Sequence, residues 1–246
     1  MRAFLRFSSI VIFLIALGRC SDVQRNEAAW PQDDPQQAGG VLGGDAAAPR
    51  GMNSFNGSAI APDAVARDVL AEMNLARTQP ATYATFLEEL RPYYRGKLLE
   101  VPGKIALQTQ EGLPAVDEAI AYLRAQTPRS ALTLANGLNK AAADHARDQG
   151  SGNQTGHTGS DGSSPFVRME RYGKWLGTAG ENISYGLPTG REIVLQLIVD
   201  DGVPSRGHRS NTFQPNFRKT GIAVGPHGGY RWMCVIDLAD QYADKE

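Results

Sequence analysis

Apolar residues recur at intervals of three and four along several stretches of the chain. From Pro62, the positions Val65, Val69, Leu70, Met73 and Ala76 keep this spacing and predict an amphipathic helix that must stop before Pro80. Pro80 itself suits a first helical position and opens a second helix with Tyr83, Phe86, Leu87 and Leu90 on one side. A third begins at Pro114 and carries Val116, Ala119, Ile120 and Leu123. A fourth runs from Leu134 through Leu138, Ala141, Ala142 and His145 to a stop at Gly150. After a Gly/Ser/Thr-rich loop that runs on to Pro165, a short helix is expected around Val167–Tyr172. Another follows through Ile193, Val194, Leu197 and Ile198, ended by Gly202 and Pro204. Pro92, Gly96, Pro102, Gly103 and Gly112 break every period between the second and third helices, so residues 91–112 read as loop with at most short strands.

The period changes near the end of the chain. Thr220–Gly225 and Tyr230–Leu238 are rich in β-branched and aromatic residues, and Pro226-His227-Gly228-Gly229 joins them as the turn of a hairpin. Helices first and strands packed on them predict an α+β fold.

The first sixty residues lack such periods. Residues 1–18 carry Arg2 and Arg6, then a short apolar run from Ile10 to Leu17, then the small residues Ala16 and Gly18 at the −3 and −1 positions of a cleavage site. The run is shorter than the roughly 20 residues a membrane span needs, so a signal peptide is expected rather than an uncleaved anchor. Leu17-Gly18-Arg19-Cys20 resembles a lipoprotein box, although Arg19 stands where that box has a small residue. Lipid anchoring through Cys20 is therefore an alternative to simple secretion, and the protein is placed outside the cell, in the periplasm or on the cell envelope. Residues 19–60 are Gly-, Ala-, Gln- and Pro-rich and read as a flexible linker, leaving 61–246 as one folded domain.

Composition narrows the function classes. Lys and Arg number 25 against 26 Asp and Glu, a balance that offers no basic face to a nucleic-acid backbone. Two cysteines, Cys20 and Cys234, build no disulfide framework, and no CxxC pair suggests a zinc ribbon. Cys234 sits in the apolar run 232–236 and reads as a buried, inert thiol. The chain has no P-loop, no GxGxxG fingerprint and no GxSxG elbow, so Ser163 and Ser164 do not read as serine nucleophiles.

Four histidines remain to be placed. His157 and His208 each lie in a glycine-flanked loop, with Glu181 in a turn-like setting between them and the acidic pair Asp200-Asp201 just before His208. Imidazole and carboxylate are ligands for a divalent metal such as zinc and equally the parts of an acid–base pair. Helical neighbours point about 100° apart, so only one of Asp200 and Asp201 faces the site. His145 is expected as a hydrogen-bonded core residue, His227 as a solvated turn residue. Arg168 and Arg171, one turn apart, fit a helix-face ion pair better than an anion clamp.

The ordered series GHTGSDGSSPFVRMERYG, GENISYG, IVDDGVPSRGHRSN, GIAVGPH and MCVIDLA resembles the CAP superfamily, the cysteine-rich secretory, antigen 5 and pathogenesis-related proteins, in its bacterial exported form. The resemblance runs from about Leu70 to Asp240. It implies an α-β-α sandwich around a central antiparallel sheet, with added strands near 180–185 and within 91–112. It also implies a cleft lined by two histidines and two acids that holds a divalent metal in some members. By motif these positions fall on His157, Glu181 and His208, with Asp200 standing where the family usually has glutamate. Residues 91–130 exceed the family pattern. The expected function is therefore an exported CAP-type protein that binds a divalent metal, a small molecule or a lipid without turnover. A metal-dependent hydrolase using His157, His208 and Glu181 is the alternative, and a cleft whose groups satisfy one another through water is the competing expectation for the site. The sequence leaves the oligomeric state open.

Overall fold

The computed structural model describes residues 61–104 and 106–246. The expected signal peptide, the linker and Cys20 lie outside the described residues.

The described residues form seven α-helices and seven strands. Helices α1 (Pro62–Thr78) and α2 (Pro80–Leu90) begin with proline where the first N–H needs no intrahelical partner. A 3-10 turn leads into a small antiparallel meander of β1 (Tyr94–Arg95), β2 (Leu98–Leu99) and β3 (Leu107–Gln108), and then α3 (Leu113–Ala125). After β4 (Thr133–Leu134) come α4 (Asn136–Gly150), α5 (Pro165–Tyr172), β5 (Gly173–Tyr185), α6 (Gly190–Val199), α7 (Gly207–Thr212), β6 (Lys219–His227) and β7 (Arg231–Asp244).

The main sheet has the order β4-β6-β7-β5. It is antiparallel except at its short edge, where β4 pairs with β6 in parallel. Alternation along β7 sends Cys234, Ile236 and Leu238 into one core with α1, α2, α3 and α6. Met233, Val235 and Ala239 turn the other way, towards Ala142, Ala146, Leu138 and Met169 of α4 and α5. The result is the α-β-α sandwich of an α+β protein. Cys234 is buried, and burial pushes its thiol pKa up.

Several elements differ from the sequence expectation for identifiable reasons. Leu134 does not start α4; it lies half-exposed in β4, paired with Thr220, and the helix begins two residues later. β5 starts at Gly173 rather than near 180 because a bulge between Leu176 and Ala179 interrupts the alternation that would have revealed it. Gly177, with φ of 79°, supplies the left-handed backbone there. The hairpin turn is shorter than expected, since Pro226 and His227 belong to β6.

Buried Arg77 at the end of α1 has no carboxylate within ion-pair distance among the described residues. It donates instead to the carbonyls of Ser130, Thr212, Gln214 and Phe217 at 2.9, 2.7, 3.2 and 3.0 Å. One side chain thus ties α1 to the segment before β4 and to the loop after α7. Burial, and then the neighbouring charges of Arg218 and Arg129, lower its pKa to about 10, so it keeps its charge at neutral pH.

The closest helix–sheet contact is α4 on β6. A side chain on Gly221 would occupy the space of the backbone at Leu138 and Asn139, while Asn139 Oδ1 accepts the N–H of Ile222 at 2.9 Å. Gly221→Ala is therefore expected to destabilise the fold by about 3 kcal/mol or more, the upper range for overpacking, because backbone rather than a flexible side chain must move. Urea denaturation measures this, and a loss below about 1 kcal/mol contradicts the tight packing.

Candidate functional site

Two histidine–carboxylate pairs form beside the edge strand β5. His157, in the loop after α4, places Nδ1 2.8 Å from Glu181 Oε1. His208, in the first turn of α7, places Nδ1 2.7 Å from Asp200 Oδ1. A carboxylate can only accept, so each histidine carries its proton on Nδ1 when neutral and turns Nε2 away from its acid. Glu181 and Asn182 are successive residues of β5, so their side chains serve opposite faces of the sheet. Glu181 faces α5 and the His157 loop. Asn182 donates to the carbonyl of His208 at 3.0 Å and accepts from Asn211 at 2.9 Å. One dipeptide of the edge strand therefore serves both pairs.

Glu181 lies in the middle of a strand, not in a turn, and is completely buried. Its second oxygen accepts from Arg168 Nη2 at 2.8 Å, while Arg168 Nη1 donates to the carbonyl of Ser163 at 2.8 Å. Arg168 is thus a buried cation and not a member of a surface pair. Arg171 makes the surface pairs expected at that helix, with Asp161 and Asp144. Burial alone would raise the Glu181 pKa. The hydrogen bond and charge of His157 and the guanidinium of Arg168 more than offset it, and the carboxyl falls to about 2.

Asp237 is a second fully buried acid, directly opposite Glu181 in the β5–β7 register. Burial and the like charge of Glu181 hold its carboxyl well above the usual carboxylate range. Neither of its oxygens has a hydrogen-bond partner among the described residues. Sequence reading missed both Arg168 as a partner of Glu181 and Asp237. The signal for Asp237 was a lone acid between Ile236 and Leu238, on a strand apolar on both faces.

Asp200 reaches His208 although it is one methylene shorter than the glutamate that the motif resemblance implies there. It ends α6 in the left-handed conformation, φ 55°, and this turns its side chain towards α7. Oδ2 accepts the N–H of His208 at 2.9 Å and of Arg209 at 3.3 Å, capping the start of α7. Asp201 points elsewhere. It accepts the N–H groups of Gln110, Glu111 and Gly112 at 2.5, 2.8 and 3.3 Å, and so fastens the β1–β3 meander to the loop before His208. Arg206 adds a bidentate pair to Glu111 at 2.6 and 2.7 Å.

The remaining histidines hold the His157 loop. Buried His145 donates Nε2 to the carbonyl of Gly156 at 2.9 Å, which Gln149 also reaches at 2.9 Å, and burial lowers its pKa. His227 is not solvated: it is 2% exposed. Its Nε2 donates to the carbonyl of Gln154 at 2.8 Å, and its ring stacks among Tyr185 and Tyr230, with centroids 5.2 Å away in each case. The turn it was assigned to begins one residue later, so its side chain falls on the inward face of β6. Ser164 caps the start of α5. Among the described residues, no three His, Cys, Asp or Glu side chains converge in a metal-holding group, since each carboxylate faces its own histidine.

Residues 118–236 match the family model described as the Cysteine-rich secretory protein family, a narrower range than the motifs suggested. The uncharacterized protein YkwD of Bacillus subtilis (strain 168) is 34% identical over 91 residues, which are 37% of this chain. The aligned part spans about a third of that relative, 34% of its length. Among solved structures, an outer surface protein of Borrelia burgdorferi is 17% identical with a TM-score of 0.39, over 52% of this chain and 89% of its own. An extracellular protein containing a SCP domain from Bacillus anthracis str. Ames is 18% identical with a TM-score of 0.37, over 52% of this chain and 38% of its own.

Removing the Glu181 charge leaves Arg168 buried without a counter-ion. Glu181→Gln is expected to cost about 3–5 kcal/mol in urea denaturation at pH 7. Because the folded pKa lies below that of an unfolded glutamate, the contribution of Glu181 is complete above about pH 4.5 and fades as pH falls towards 2. Wild type should therefore lose stability over that window more steeply than Glu181→Gln. Parallel curves for the two proteins would contradict the ionised assignment.

Proposed function

From a chain that carries a CAP domain over residues 118–236 and so belongs to the CAP superfamily, we propose an exported protein that binds a divalent cation such as zinc between His157 and His208. The cleft also accepts a small or lipid ligand, and no turnover is required of it. The observation that carries the reading is the pairing of both histidines with a carboxylate through Nδ1, at 2.8 and 2.7 Å. Histidines that ligate metals are commonly oriented this way, with the carboxylate behind the ring and Nε2 presented to the ion. Two imidazoles suit zinc by their chemistry, and Glu181 and Asp200 set the orientation of each ring. Zinc bound there would supply a Lewis acid able to polarise a bound water or carbonyl. Export and cell-envelope association are part of the proposal and rest on residues 1–20.

The hydrolase reading asks Glu181 to take up a proton near neutral pH. A fully buried carboxylate with its pKa near 2, held by Arg168 and His157, is poorly matched to that task. Binding without turnover is therefore preferred.

Thermal unfolding of the full chain with and without zinc chloride, beside the His157→Ala/His208→Ala variant, tests the metal. Zinc at about 100 times its dissociation constant contributes about 2.7 kcal/mol, a rise on the order of 5–10 °C. That rise is expected in wild type and absent in the double variant. No rise in wild type, or the same rise in both, overturns the metal reading. Palmitate labelling lost in Cys20→Ser would support a lipid anchor, and a cleaved soluble species without label would refute it.

A further inference from the structure

The loop that carries His157 also encloses a second space. Between α4 and α5 lies a cavity of about 300 Å³ lined wholly by charged and hydroxyl side chains, with Arg168 at its buried end. Three acids, Asp144, Asp148 and Asp161, are matched by three arginines, Arg147, Arg168 and Arg171. Within the wall Arg147 meets Asp144 at 2.5 Å and Arg171 meets Asp161 at 2.6 Å, while Arg168 is paired with Glu181 behind it. Asp148 is in no ion pair among the described residues and accepts the N–H and the hydroxyl of Ser160. The lining residues sum to no net formal charge, and none of them is an apolar residue. What it does present is an array of hydrogen-bonding groups of both kinds.

One of those groups is unsatisfied. Arg168 is 2% exposed, with Nη1 on the Ser163 carbonyl and Nη2 on Glu181, yet its Nε is buried without a hydrogen-bond partner. A buried N–H left unmet costs on the order of 1–3 kcal/mol, so an occupant able to accept from it gains at this point.

We propose that this cavity binds a neutral polyhydroxylated molecule the size of a single sugar ring. Vicinal hydroxyls both donate and accept, so they can donate to Asp144 and Asp148 while accepting from Arg147, Arg171 and Arg168 Nε. The volume lies at the lower end of the ligand-pocket range, which admits one ring and not a chain. The site is separate from the His157/His208 cleft and touches it only through Arg168, whose other side holds Glu181.

Nitrogen-15 NMR of the arginine Nε–H signals of the full chain tests the assignment, with methyl glucoside and N-acetylglucosamine as probes. The expected result is a saturable shift of the Arg168 Nε–H with at least one of the two. Asp148→Asn should weaken that binding by about tenfold, the scale of one hydrogen bond to a charged group. Asp148 also holds Ser160, so Arg147→Gln, which alters only an exposed rim side chain, provides a variant that leaves the fold intact and is expected to weaken binding too. His208→Ala, which removes a side chain that does not line the cavity, should leave sugar binding unchanged, so this assignment and the metal reading fail independently. No saturable shift with either sugar overturns the proposal. So does a response to inorganic phosphate or glycine in place of the sugars, or unchanged affinity in both cavity variants.

Discussion

A carboxylate sealed inside a protein must find charge and hydrogen-bond partners there, because water no longer supplies them. Glu181 is such a group, and its requirement organises this half of the molecule. It needs Arg168, which brings α5 against the edge strand. It needs His157, which fixes the loop between α4 and α5. Its charge adds to burial in raising the pKa of its register neighbour Asp237.

The second pair follows a different logic. His208 stands on a short helix whose first amides are capped by Asp200, so one side chain both starts the helix and fixes the imidazole. Left-handed backbone at Asp200 and Arg206 brackets this turn, and such conformations in non-glycine residues cluster where geometry has to be held for a purpose. The meander that exceeds the family pattern is attached here, through Asp201 and Arg206, and not to the sandwich core. The meander thus buttresses the loop that leads into His208.

The side chains that look like spares turn out to support the first pair. His145, Gln149 and Tyr185 all converge on Gly156, the residue before His157, and His227 holds Gln154. Rigid support behind a histidine is what a binding site requires if its ring is to be presented without a large entropic penalty. The loop is glycine- and serine-rich, yet it is fastened along its length by buried polar contacts.

The helices, their starts at Pro62 and Pro80, and the closing hairpin were legible in the sequence because they depend on local period and on proline and glycine chemistry. Ordered motifs also singled out His157, Glu181, His208 and Asp200, which the structure joins in two hydrogen-bonded pairs. What the sequence could not show was which acid meets which histidine, because that depends on a left-handed turn at Asp200 and on the register that sets Glu181 beside Asp237. Nor could it show that Arg168 and His227 are buried. A helix period and a turn signal describe a residue's neighbours along the chain, whereas burial depends on what packs from elsewhere. Local interactions along the chain fixed the elements. The desolvation of a few charged groups, which exists only once the layers have closed, decided how the site is wired.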